Sequence, residues 1–175
     1  QAAEGEAGFA ASASSLIAEG DHLYLGSGGK EANLYVSKDR GNSWEKFKSP
    51  LQQGESSQGI FALTSTGKGE IIVTGGDYLH ENQNEGNLGI FLPEDKKWIN
   101  SETSVFGYRS GISFFPRFQW VVAVGPNGTD FSKDGGLNWE KISSENEGFH
   151  AVKMSQSEGT LWASGAQGKV GKLTF

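Results

Sequence analysis

The chain contains no cysteine, so disulfide bonds and thiolate zinc sites are excluded. That absence assigns no compartment, because secreted proteins can lack cysteine too. Proline is scarce, with 4 residues. Positive charge is not in excess either. The net charge is −6 over 175 residues, whereas a phosphate backbone calls for a basic surface, so no nucleic-acid partner is expected. No apolar run approaches the length of a membrane helix, and no membrane span is expected. No long segment spaces its apolar residues at helical intervals. The first residues, "QAAEGEAGFAAS", lack an initiating Met. They also lack the basic start and apolar run of a signal peptide, so the chain reads as processed, trimmed or cut from something longer.

Metal and cofactor chemistry finds little footing. His22, His80 and His150 form no HExxH or comparable spacing, so no metal site is expected. "GSGG" and "GGDY" are glycine-rich, but no helix follows to offer a phosphate site. A nucleotide fingerprint is absent, and no cofactor is expected.

Glycine, in contrast, is abundant at 26 residues, which suits many tight turns between short strands. Four stretches begin with Gly and a large apolar residue: "GFAASASS" at Gly8, "GIFALTST" at Gly59, "GISFFPRF" at Gly111 and "GFHAVKMS" at Gly148. Each is followed by a second apolar run ending in Gly: "HLYLG", "EIIVTGG", "WVVAVG" and "LWASG". A third run comes next: "ANLYVS", "GNLGIFL", "TDFS" and "KVGKLTF". A short Trp-led run, "SWEKF", "KWINS" or "NWEKI", closes three of the four units. The period is about 37 to 52 residues, with four strands in each. Short strands with regular turn signals mean an all-β chain. Four strands per period of this length predict β-propeller blades, each a four-stranded antiparallel sheet. Nearly continuous apolar runs fit sheets packed between neighbouring sheets.

The units place blades at about 7–50, 55–102, 108–144 and 147–175 of one segment spanning 1–175. The fourth stops after its third run, and "QAAEGEA" is a poor candidate to supply the missing strand. The expectation is therefore about four blades of a larger six- to eight-bladed ring, the C-terminal half of the full domain. The segment is not expected to close on itself. Its neighbours would be further blades from the rest of the chain or from another chain.

One octapeptide occurs twice. "SKDRGNSW" spans 37–44 and "SKDGGLNW" spans 132–139, with five of eight letters identical. It falls between the third and fourth runs, where Asp accepts backbone N–H groups of a turn, Gly supplies an unusual backbone angle and Trp covers the hairpin. The pattern S-x-D-x-G-x-x-W resembles the Asp-box, or BNR, repeat. Ser37, Asp39, Gly41 and Trp44 match it, as do Ser132, Asp134, Gly136 and Trp139. The resemblance implies a structural role at the blade periphery, opposite the usual binding face. "FLPEDKKW", 91–98, keeps only the Trp. Longer phrases carry a second resemblance: "GEAGFAASASS", "GIFALTSTGKGEIIVTGGDY", "YRSGISFFP", "VAVGPNGTDFSKDGGLNW" and "EGFHAV". They are similar to extracytoplasmic bacterial proteins related to the photosystem II stability and assembly factor. That family implies a propeller of about seven blades, binding rather than catalysis, and a periplasmic or secreted location. It carries over no catalytic residues.

Strands of a blade alternate direction, so its loops alternate faces. The loops opposite the octapeptide turns hold the ligand-binding candidates: Glu6, Ser57, Asp77, Tyr78, Tyr108, Arg109, Glu147 and His150. Arg109 is the expected centre, because a guanidinium holds carboxylates or sulfate-like groups bidentately. The competing reading makes it an internal salt bridge with Glu6 or Glu147. A sialidase would need three arginines around its ligand, and Arg40 and Arg117 fall on the wrong face. Other glycosidases need only two carboxylates at a set separation, and Glu6, Asp77 and Glu147 are the possible members. The expected function is a non-catalytic binding scaffold for a protein or glycan outside the cytoplasm. The alternative is a carbohydrate-active enzyme that shares its site with the remainder of the propeller. "NGT" at Asn127 is a glycosylation sequon that also reads as an Asn-Gly turn.

Overall fold

The computed structural model describes residues 1–12, 14–143, 148–155 and 159–174. The chain is all-β, with four antiparallel blades in a propeller arrangement. Blade 1 holds β2 (Leu16–Glu19), β3 (His22–Gly26), β5 (Asn33–Ser37) and β6 (Glu45–Lys48). Blade 2 holds β7 (Gln58–Ser65), β8 (Ile71–Asp77), β9 (Leu88–Leu92) and β10 (Lys97–Ile99). Two short strands, β1 (Glu6–Ala7) and β4 (Gly28–Gly29), extend the blade 2 sheet to six strands. Blade 3 holds β11 (Gly111–Phe115), β12 (Trp120–Gly125), β13 (Gly128–Ser132) and β14 (Glu140–Ser143). Blade 4 holds β15 (Phe149–Ser155), β16 (Thr160–Gly165) and β17 (Val170–Thr174).

Three apolar clusters hold these sheets together, one at each junction. Tyr24, Leu34 and Val36 of blade 1 meet Ile60, Leu63, Ile71, Val73 and Phe91 of blade 2. Ala62, Ile72 and Ile90 on the other face of blade 2 meet Ile112, Phe114, Val121, Ala123 and Trp139 of blade 3. Val122 and Val124 of blade 3 meet Val152, Met154, Leu161 and Ala163 of blade 4. Side chains of a strand alternate between faces, so a blade flanked on both sides must be apolar on both. That requirement explains why β8 reads Ile-Ile-Val without interruption and is buried throughout.

One strand lies elsewhere than expected. "GFAASASS" does not form the inner strand of blade 1; "LIAE" does, turning through Gly20–Asp21 into β3. The cause is competition from blade 2. Phe9 stacks on Phe61 with ring centroids 3.8 Å apart, and the Ser12 hydroxyl donates to the Phe61 carbonyl. Residues 9–12 and 14 therefore lie along the rim of β7, where the Leu63 N–H donates to the Ser14 carbonyl, and only Ser15 reaches β3, its carbonyl accepting from the Gly26 N–H. The strand β4 also sits very close to β7. A Cβ on Gly59 would lie 2.3 Å from Gly28 Cα, so neither position tolerates a side chain.

The repeated octapeptide folds the same way twice. In the first copy the Ser37 hydroxyl donates to Asp39 Oδ1 (2.8 Å) and accepts from the Gly41 N–H (2.8 Å). Asp39 Oδ1 accepts from the Ser43 N–H, and the Trp44 indole N–H donates to the Gly41 carbonyl. In the second copy Ser132, Asp134, Gly136, Asn138 and Trp139 repeat each of these bonds, at 2.8–2.9 Å. Gly41 (φ 89°) and Gly136 (φ 97°) both need a left-handed backbone.

The two tryptophans nevertheless differ in burial. Trp139 is 3% exposed and Trp44 is 41% exposed. Trp139 packs into the junction with blade 2, against a turn so close that a Cβ on Gly136 would lie 2.9 Å from Ile72 Cδ1. Trp44 belongs to the opposite flank of blade 1. There the row Leu16–Leu25–Tyr35 holds the register of Ile112–Ala123–Asp130 in blade 3, yet Leu16 is 52% exposed. Trp139→Ala is therefore expected to cost about 3–5 kcal/mol of unfolding free energy, and Trp44→Ala less than half of that. Urea unfolding midpoints at constant m-value test the difference; equal losses would contradict it.

Candidate functional site

The inner strands β2, β7, β11 and β15 border a cleft of about 1170 Å³. An aromatic cluster stands at its edge. Phe61 stacks on Phe9 and meets Tyr108 edge-on at 4.9 Å and Tyr78 edge-on at 6.0 Å. Tyr78 and Tyr108 meet each other at 6.5 Å. Tyr108 is buried, and that burial pushes its hydroxyl up from the ordinary tyrosine range. Tyr78 is 42% exposed, so its ring is the part of the cluster open to solvent. His150 also lines the cleft; its backbone carbonyl accepts from the Ser110 hydroxyl at 2.8 Å.

Arg109 lies elsewhere in this arrangement. Its side chain is fully buried and all three of its nitrogens are engaged. Nε donates to Asp130 Oδ2 at 2.7 Å, Nη1 to the Tyr108 carbonyl and Asn127 Oδ1, and Nη2 to the Phe106 carbonyl at 3.1 Å. Asp130 is equally buried and also accepts from the Phe106 N–H. Arg109 is thus a strut of blade 3, tying the entry to β11 onto β13, and presents no group to a ligand. Its partner is Asp130, not Glu6; Glu147 lies outside the described residues. Asn127 joins the same network. Its amide nitrogen donates to the Glu81 carbonyl (2.7 Å) and Asn82 Oδ1 (3.0 Å), so the sequon asparagine is a buried turn residue with its nitrogen occupied. Through Glu81, which also accepts from the Tyr108 N–H, the long polar loop "GGDYLHENQNEG" is docked on blade 3.

The two described carboxylate candidates are likewise bound internally. Glu6 accepts from the Ala3 N–H, Ser27, Asn33 and Tyr35, with Lys46 Nζ at 3.8 Å. Burial pushes its carboxyl up, but those hydrogen bonds together outweigh it and hold the group at about 2. Asp77 behaves alike. Burial pushes it up, and His80, the Leu79 N–H, Ser57 and Gln58 pull it down to about 2. Ser57 is buried and shares this cluster. Of the expected residues, then, Tyr78, Tyr108 and His150 line the cleft, while Glu6, Ser57, Asp77 and Arg109 support the loops around it. Phe9 and Phe61 complete the aromatic cluster, and in the sequence they carry only a strand signal.

No protein-family model matches the chain, and no curated protein matches it either. Solved structures do. The Niastella koreensis GH74 enzyme superposes with a TM-score of 0.60 at 18% identity, over 88% of this chain and 27% of its own. The structure of YCF48 bound to D1 peptide gives 0.55 at 19% identity, over 90% of this chain and 47% of its own. The β-propeller domain of Myceliophteria thermophila Cps50 (Swd1) gives 0.63 at 13% identity, over 93% of this chain and 53% of its own. This chain therefore spans about a quarter to a half of those chains. At these identities the likeness is one of fold.

Two predictions follow from the buried charges. Arg109→Ala is expected to cost about 3–5 kcal/mol, because it leaves Asp130 buried and unpaired. Adding Asp130→Ala should cost less than the sum of the single changes, and additive losses in urea melts would break the assignment. For Glu6, the carboxyl is depressed from 4.5 to about 2 in the folded chain, so its contribution is complete above pH 4.5 and is lost as pH falls through about 2. The stability advantage of wild type over Glu6→Gln should therefore shrink steadily from pH 5 to pH 2 in thermal melts. A constant difference would show that the charge plays no part.

Proposed function

We propose that the chain is part of a non-catalytic β-propeller scaffold that binds a protein or glycan ligand. The ligand seats on the aromatic edge of the central cleft. The observation that carries this reading is the Phe9–Phe61–Tyr108–Tyr78 cluster, rigid at its buried end and exposed at Tyr78. Tyrosine offers flat apolar area with a polar tip, which suits peptide chains and sugar faces alike. YCF48, a protein of similar fold, is seen with a peptide, which favours a peptide ligand here.

The glycosidase alternative is less well supported. A general acid needs a carboxyl held up toward neutral pH. Glu6 and Asp77 are both held down at about 2 by hydrogen bonds inside the protein. We read the two octapeptide turns as Asp boxes, structural in role, because each spends its Ser, Asp and Trp polar groups within its own hairpin. The resemblance of the longer phrases to proteins related to the photosystem II assembly factor supports an extracytoplasmic location and a larger ring.

Immobilised chain screened on peptide and glycan arrays tests the reading. Tyr78→Ala should weaken capture at least about tenfold, the scale of one lost aromatic contact, while Tm stays within about 2 °C. Equal capture by the variant, or hydrolysis of an arrayed polysaccharide, would sink it.

A further inference from the structure

The aromatic edge of the cleft is assembled from two blades. Tyr78 follows β8 of blade 2 and Tyr108 precedes β11 of blade 3, with ring centroids 6.5 Å apart. Burial does not hold the loop that carries Tyr78. From Tyr78 to Glu85 every residue is exposed except Glu81, which is half-buried. Hydrogen bonds fix its place instead.

On the side of blade 3 these bonds form a closed ring. The Tyr108 N–H donates to the Glu81 carbonyl at 2.9 Å, and the Tyr108 carbonyl accepts from Arg109 Nη1 at 2.9 Å. Arg109 Nη1 also donates to Asn127 Oδ1. Asn127 Nδ2 donates to the Glu81 carbonyl at 2.7 Å, which closes the ring, and to Asn82 Oδ1 at 3.0 Å. Gly107 lets these groups converge. Its φ is 120°, and a Cβ there would lie 2.4 Å from the Glu81 carbonyl oxygen and 2.5 Å from Asn127 Nδ2.

The chemistry of the ring dictates which side chain can close it. A guanidinium only donates and a carbonyl oxygen only accepts, so the group between them must accept at one end and donate at the other. A carboxamide does both. A carboxylate would serve Arg109 equally well but would turn a second oxygen, with no proton to give, toward the Glu81 carbonyl.

We propose that Asn127 is a positioning residue of the ligand edge. Its carboxamide clamps the loop of Tyr78 to the backbone of Tyr108 and so sets how the Tyr78 ring is presented. Buried at 7% exposure in the turn between β12 and β13, it acts through Glu81 and Tyr108. The proposal rests on the reading of Tyr78 as a ligand contact, and the test separates the two.

Asn127→Asp keeps the acceptor for Arg109 and removes both donors to the loop. Hydrogen exchange followed by NMR needs no ligand. The bonded amides of His80, Gln83 and Tyr108 should exchange at least about tenfold faster than in wild type, while those of β12 and β15 keep their protection. Asn82→Ala, at an exposed position, removes only the side branch; it should speed the same amides about threefold and leave Tm unchanged. Where Asn127→Asp fails to fold, this second variant decides. On the peptide array, retention by Asn127→Asp should fall at least about tenfold, as for Tyr78→Ala. Wild-type protection of the three amides in both variants would overturn the proposal, as would faster exchange spread evenly over all blades. Faster loop exchange with full peptide retention would overturn it too. If the wild-type chain retains no arrayed peptide, the ligand reading alone falls, and the exchange rates still uphold or overturn the clamp.

Discussion

A sheet that is apolar on both faces cannot stand in water alone, and the rest of this structure depends on that constraint. Each junction is a continuous layer of Val, Ile, Leu and Phe contributed by two neighbouring blades. The stability of one blade is thus partly the property of the next, as in other repeat architectures. The constraint explains why chemically equivalent residues differ in environment. Trp44 and Trp139 make the same indole bond to the same turn glycine, at 3.0 and 2.8 Å. Among the described residues, Trp139 packs into the junction with blade 2 and Trp44 packs into none of the inter-blade clusters.

Polar groups are admitted to this layered core on strict terms. Asp130 lies in the interior of β13, between buried Thr129 and half-buried Phe131, and it is balanced by Arg109. Glu6 and Asp77 sit at the loop ends and collect hydrogen bonds from several directions. Each such cluster joins segments distant in sequence: 3–6 with 27–35, 57–58 with 77–80, and 106–109 with 127–130. The loops around the cleft are therefore fixed by buried acids, and beside them the edge of the cleft at Phe61, Tyr78 and Tyr108 is aromatic.

Much of this was legible in the sequence, because period and turn chemistry are local signals. The middle strands of every blade, the octapeptide hairpins and the four-blade repeat all follow from apolar runs and fixed Gly, Asp and Trp positions. The inner strand of blade 1 did not, since "FAASASS" and "LIAE" are both plausible strands. The choice rests on Phe9 finding Phe61, a contact some fifty residues away in sequence. Arg109 was misplaced for a similar reason. Loop position alone puts it on the ligand face. The signal that identifies its role sits in β13, where parity places Asp130 opposite Ala123 on an inward face. An acid at such a position requires a cation, and Arg109 is the cation within reach.

The same parity argument separates the two flanks of the segment. On blade 1 the outward row carries Leu16, Leu25 and Tyr35, a surface of inter-blade type by its register match to blade 3. On blade 4 the outward rows carry Ala151, Lys153, Trp162, Ser164, Val170 and Lys172, with Lys172 Nζ 5.1 Å over the Trp162 ring. Lysine stems cover apolar surface while their charges remain in water, and on blade 1 the outward row likewise ends on a lysine, Lys46 opposite Tyr35. Lysine on an exposed sheet also opposes indiscriminate strand pairing. Both ends of the array nevertheless expose apolar side chains, Leu16 (52%) and Trp44 (41%) on blade 1 and Trp162 (43%) and Val170 (67%) on blade 4.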